Sequence, residues 1–97
     1  MYNTAKILSM LKTKKPELET RYFISELGLF GSYARGDFNE KSDIDILVDF
    51  NSRIDGFDYI RLAHELEDMF KFKIDLISRK GIKPGYLPFV EKNLIHV

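Results

Sequence analysis

An α/β fold, a small mixed β-sheet flanked by helices, is what this sequence predicts, and three observations predict it. Residues 43–50 alternate apolar and polar side chains with the period of a strand. Residues 57–70 repeat apolar side chains at helical spacing. Around them, strand-like and helix-like stretches follow in the order strand, helix, strand, helix, strand, which suits a mixed sheet with helices packed on one side. The 97 residues suffice for one domain and are too few for two, so residues 1–97 read as a single unit.

Taken in order, Asn3 or Thr4 suits the cap of a first helix, with Ile7, Leu8 and Leu11 on one face. Lys12, Lys14 and Lys15 fit its C-terminus, and Pro16 ends it or begins a short second turn. Residues 22–30 are rich in aromatic and aliphatic side chains and read as a strand, weakened in its middle by Gly28. The chain breaks at Gly31 and Ser32, then enters a short helical stretch that Gly36 terminates. Residues 37–42 are polar and aperiodic, hence a loop.

In the strand at 43–50, Ile44, Ile46, Val48 and Phe50 share one face, and Asp43, Asp45, Leu47 and Asp49 share the other. Residues 51–56 are a turn-rich connection. Tyr59, Leu62, Ala63, Leu66, Met69 and Phe70 form the apolar stripe of the next helix. Residues 72–77 make a further strand, with Phe72, Ile74 and Leu76 opposed to Lys73 and Asp75. The tail carries Gly81, Pro84, Gly85 and Pro88 and a short helix at 87–94.

Composition narrows the function classes. Acidic and basic residues balance at 15 each, which argues against a general nucleic-acid coat, since that needs a positive surplus to neutralise phosphates. No direct nucleic-acid binding is expected. With no Cys, disulfides and thiolate metal sites are excluded. No apolar run has the length of a membrane span, and Lys6 and Lys12 interrupt the apolar stretch where a signal peptide would need one. The expectation is a cytoplasmic protein with no membrane association.

The chemistry concentrates in two stretches. Asp43 and Asp45, two apart on a strand, place their Cβ atoms roughly 6–7 Å apart on one face. Two carboxylates so held repel each other unless cations sit between them. A pair of magnesium ions in a phosphoryl-transfer site lies about 3.5–4 Å apart, so both side chains can converge on them. Magnesium takes oxygen ligands and keeps waters that phosphate oxygens can replace. Asp75, on the equivalent face of a later strand, supplies a third carboxylate if the two strands are neighbours. Upstream, Gly31 and Ser32 end one strand and open a helix, where backbone can approach a phosphate closely and the Ser32 hydroxyl adds a donor. Arg35, one turn on, either contacts a triphosphate or holds the loop.

Gly31, Ser32, Arg35, Gly36, Ser42, Asp43, Ile44 and Asp45 together resemble the signature of the nucleotidyltransferase superfamily that includes DNA polymerase beta, most closely its stand-alone minimal members, the MNT proteins. Asp75, within Lys73, Ile74, Asp75, Leu76 and Ile77, matches that family's third carboxylate. The resemblance spans residues 29–77 and implies a polymerase beta-like nucleotidyltransferase fold. It implies that Gly31 and Ser32 hold the β- and γ-phosphates of ATP, that Asp43 and Asp45 bind two magnesium ions, and that Asp75 ligates the metal on the attacking side and accepts the acceptor's proton. It further implies a helical HEPN toxin as partner, adenylylated on a tyrosine hydroxyl in a hetero-oligomer, with this chain as antitoxin. Larger relatives carry acceptor-binding domains for which 97 residues leave no room.

Two other readings stand beside this one: a binding module that neutralises its partner by covering it, and the catalytic subunit of a small-molecule nucleotidyltransferase. His64 has no second metal-ligand residue at useful spacing and reads as a surface residue. Asp49 shares the parity of Asp43 and Asp45 but lies too far along the strand for the site. Asp37 and Glu40 read as solvated. Arg79, Lys80 and Lys83 form a basic cluster open to a nucleotide or an acidic partner. Tyr86, Leu87, Phe89, Val90, Leu94 and Ile95 read as core packing ahead of a partner interface.

Overall fold

Asn3 starts the first helix by accepting a hydrogen bond from the Lys6 backbone N–H at 2.8 Å. The computed structural model describes residues 2–97. This helix, α1 (Thr4–Tyr22), runs through Pro16 instead of ending there. Proline inside a helix costs about 3 kcal/mol through its missing donor and ring clash. Here Ile7, Leu11, Leu18 and Tyr22 continue one stripe at spacings of 4, 7 and 4, and all four are buried. Their packing outweighs the local defect.

The chain then turns at Phe23, in the left-handed region, into β1 (Ile24–Phe30). That strand starts two residues later than residues 22–30 suggest, because Tyr22 belongs to the helix. Next come α2 (Gly31–Arg35), β2 (Ile44–Phe50), α3 (Gly56–Phe70), β3 (Ile74–Ser78), a 3₁₀ turn at Arg79–Gly81, α4 (Leu87–Glu91) and β4 (Ile95–His96). The sheet order is β3-β2-β1-β4. β1 is antiparallel to both β2 and β4, while β2 and β3 are parallel. The sheet is therefore mixed, as the sequence predicts.

One face of the sheet carries Ile24, Leu27 and Leu29 of β1 with Ile44, Ile46, Val48 and Phe50 of β2. It packs on the α1 stripe and on Leu62, Leu66 and Phe70 of α3. The other face is not bare. Phe30, Leu47 and Val90 form a second buried cluster, so α4 covers part of the face that carries Asp45. Helices thus lie on both faces, which corrects the one-sided arrangement. At its centre Leu47 is fully buried, between aspartates that stay partly accessible. No helix among the described residues is long and apolar enough to cross a membrane.

Candidate functional site

β1 passes directly into α2 at Gly31, whose φ of +73° lies in the left-handed region. A Cβ there would overlap Oδ2 of Asp45 and stand 2.9 Å from its Cγ. Backbone conformation and available space both demand glycine. No side chain caps the start of α2. Behind it, Tyr33 is fully buried and stacked on Phe38 with ring centroids 4.4 Å apart, which anchors the short helix. Gly36 closes it at φ +90°, its N–H donating to the Ser32 carbonyl at 2.9 Å.

The register brings the carboxylates together. Phe30 pairs with Asp45 across β1 and β2, and Asp45 pairs with Asp75 across the parallel strands β2 and β3. The Asp45 carboxyl is pushed up to about 6 by burial first, then by the charges of Asp75 and Asp43 and a hydrogen bond shared with Asp75; Arg35 opposes the shift. Asp43, just before β2, has Lys73 Nζ at 3.5 Å. Arg35 is half exposed and its Nε donates to Asp37 Oδ2 at 3.2 Å. Asp75 is exposed at the rim. Among the described residues no three acidic or histidine side chains close into a ready cage. The three aspartates interact as charges across an open rim.

This donor set fits a hard divalent cation. It is all oxygen, and its central carboxyl is destabilised by two like charges and packs directly against the bare Cα of Gly31. Gly31, Ser32, Arg35 and Asp45, with Phe30, line a cleft of about 420 Å³. Asp43 and Asp75 lie outside its lining. Tyr86, Phe89, Lys92 and Asn93 line the same cleft, and Tyr86 and Phe89, expected in the core, are exposed because the short α4 turns only Val90 inward. The sequence signal was the three-residue spacing of Tyr86, Phe89 and Lys92, which puts them on one stripe while Val90 turns inward. A larger cleft of about 590 Å³, lined by Asn51, Arg53 and Lys80 among others, contains none of the aspartates or glycine-turn residues.

Arg79 and Lys80 of the basic cluster are engaged away from this site. Arg79 donates to both carboxylate oxygens of Glu26, at 2.6 and 2.8 Å, and to Glu91 at 2.7 Å. His96 Nε2 lies 2.6 Å from the same Glu26. Arg79 and His96 hold the Glu26 carboxyl down at about 2, with the Arg79 hydrogen bonds the larger cause. Lys80 reaches the Phe50 carbonyl at 3.3 Å. Asp49 faces Lys80 at 3.9 Å, away from the other aspartates, and His64 is exposed on α3.

Known proteins resemble this chain in sequence and in fold. The family model of the nucleotidyltransferase domain matches residues 6–97. Protein adenylyltransferase MntA of Thermococcus cleftensis is 36% identical over 97 residues, which cover 100% of this chain and 98% of that one. A solved structure described as a minimal nucleotidyltransferase superposes with a TM-score of 0.83 at 27% identity, covering 99% of this chain and 97% of that one. A chain from tri-AMPylated Shewanella oneidensis HEPN toxin in complex with MNT antitoxin aligns with a TM-score of 0.62 at 23% identity, covering 97% of this chain and 67% of that one, a likeness of fold alone. With Gly31, Asp45 and Asp75 brought together by the pairing of three adjacent strands and a match over nearly its whole length, this chain belongs to the nucleotidyltransferase domain family.

Proposed function

We propose that this chain transfers AMP from ATP, with magnesium, to a tyrosine hydroxyl of a partner HEPN toxin in the cytoplasm and so acts as its antitoxin. One observation carries the reading: a glycine with no room for a side chain abuts a carboxylate that is paired in register with a second carboxylate. A phosphate cradle and a cation site then share a wall. The adenylyltransferase relative and the modified toxin in the fold neighbour's complex support the choice of a protein acceptor.

In this reading Gly31 lets the triphosphate approach the backbone, the Ser32 hydroxyl donates to a phosphate oxygen, and Arg35 offsets its charge. Asp43, Asp45 and Asp75 would hold two magnesium ions, which supply charge neutralisation on the phosphates when bound. The acceptor oxygen bonds to the α-phosphorus as the bond from that phosphorus to the bridging oxygen breaks, releasing pyrophosphate. Asp75, the exposed member of the row, accepts the hydroxyl proton. The chain's own part is mostly positioning and electrostatics.

An Asp75→Asn variant tests catalysis against simple covering. It should form the complex with the partner at wild-type affinity and leave the partner unmodified and toxic. Neutralisation of the toxin by this variant as complete as by wild type would make the chain a covering module.

A further inference from the structure

We propose that Tyr86 and Phe89 form the seat for the base of the nucleotide, with Lys92 assisting its triphosphate; this rests on the nucleotidyltransfer reading and adds the half of the site that the signature residues leave undefined. The two aromatics line the same cleft of about 420 Å³ as Gly31, Ser32 and Arg35. A nucleotide entering with its phosphates against those three meets the aromatic wall with its other end.

α4 is built to hold that wall in place. Val90 is 1% exposed and packs on Phe30, the residue before Gly31, and on Leu47, which is two residues from Asp45. Arg79 ties Glu91 to Glu26 of β1 from behind. The wall and the cradle are thus fixed to the same pair of strands. The outward residues of that same segment are large and unusually accessible: Phe89 is 71% exposed and Tyr86 49%. Their ring centroids stand 6.2 Å apart with planes tilted by 32°, two accessible aromatic rings lining a cleft that Ser32, Arg35 and Asp45 also line. Every nucleobase offers a flat face to such rings. Lys92, one turn beyond Phe89, makes no ion pair with another described residue and lines the same cleft, as a counter-charge for phosphate would.

The test is calorimetric titration of magnesium–ATP and of magnesium–tripolyphosphate into wild type, Phe89→Ala, the Tyr86→Ala/Phe89→Ala double variant and Lys92→Ala. Phe57→Ala, which removes an exposed phenylalanine of α3, is the control. The exposed positions should tolerate alanine, and thermal melts check that they do. The aromatic variants should weaken ATP roughly tenfold, the scale of one base–aromatic stack, and leave tripolyphosphate unchanged. Lys92→Ala should weaken both ligands, and Phe57→Ala neither. Unchanged ATP affinity in the double variant overturns the proposal, and reduced affinity for the partner protein alone would make the wall a docking surface. Equal weakening of ATP and tripolyphosphate by the aromatic variants also overturns it. If wild type binds neither ligand, the nucleotidyltransfer reading itself fails.

Discussion

Gly31 and Asp45 compete for one volume: a Cβ on the glycine would overlap the aspartate's Oδ2 and stand 2.9 Å from its Cγ. The cradle and the carboxylate row are therefore mechanically coupled. Gly31→Ala should destabilise the fold by about 1–3 kcal/mol, from the left-handed backbone plus the displaced carboxylate. Adding Asp45→Ala should recover part of that loss without recovering AMP transfer. Denaturant titration of the two singles and the double checks the coupling; strict additivity would mean that Asp45 moves aside at no cost.

Metal-free protein should lose stability as pH rises through the Asp45 titration. The folded carboxyl titrates at about 6 against an ordinary 3.8, so the folded state favours its protonated form. That contribution is complete below pH 3.8 and is lost as pH rises through about 6. Asp45→Asn removes the repulsion and should flatten this limb, gaining about 1 kcal/mol near neutrality after solvent screening. Melting temperatures between pH 4 and 7 in a chelator measure it. Parallel curves for wild type and variant would contradict the crowding of charge.

Arg79 fastens β1 to α4, and Arg79→Ala should cost about 2 kcal/mol as hydrogen bonds to two carboxylates are lost. The sign with pH is opposite to that of Asp45. Glu26 is held down at about 2 from 4.5, so its contribution is full above pH 4.5 and is lost as pH falls toward 2. The stability gap between wild type and variant should close over that range. A gap independent of pH would show that Arg79 acts through packing alone.

Lys71 closes α3 at φ 53°, where a side chain is strained and glycine is not. It is exposed and its backbone N–H already donates to the Glu67 carbonyl at 2.7 Å. Lys71→Gly should stabilise by about 0.5–1 kcal/mol, the relief of strain less the added freedom of the unfolded chain. Equilibrium unfolding reads the change, and a lower midpoint would assign Lys71 a contact beyond its cap.

What was legible in the sequence was contiguous or periodic. Gly31 and Ser32 stand together, Asp43 and Asp45 share a strand parity, and Asp75 sits on a second strand whose parallel pairing sets it opposite Asp45. What was not legible depends on distant partners. α1 passes Pro16 because Leu18 and Tyr22 have a core to fill, which no local rule contains. β4 is two residues long and exists by pairing with Gly28 and Leu29. The bare Gly28 admits Leu94, whose Cδ1 would lie 2.7 Å from a Cβ. The aromatic wall is likewise tertiary: nothing local to Phe89 reveals that Val90 anchors it beside Gly31 through Phe30 and Leu47.

The central claim is that the α-phosphoryl group of ATP, with its adenosine, moves to a protein acceptor. Its most direct measurement is incubation with the HEPN partner and magnesium using ATP labelled at either the α- or the γ-phosphorus. The account predicts that the partner takes the α label and not the γ label, with one pyrophosphate released per AMP attached. It also predicts that Asp43→Asn, Asp45→Asn and Asp75→Asn each abolish the transfer. Incorporation of the γ label, or a fully neutralised partner carrying neither label, would contradict it.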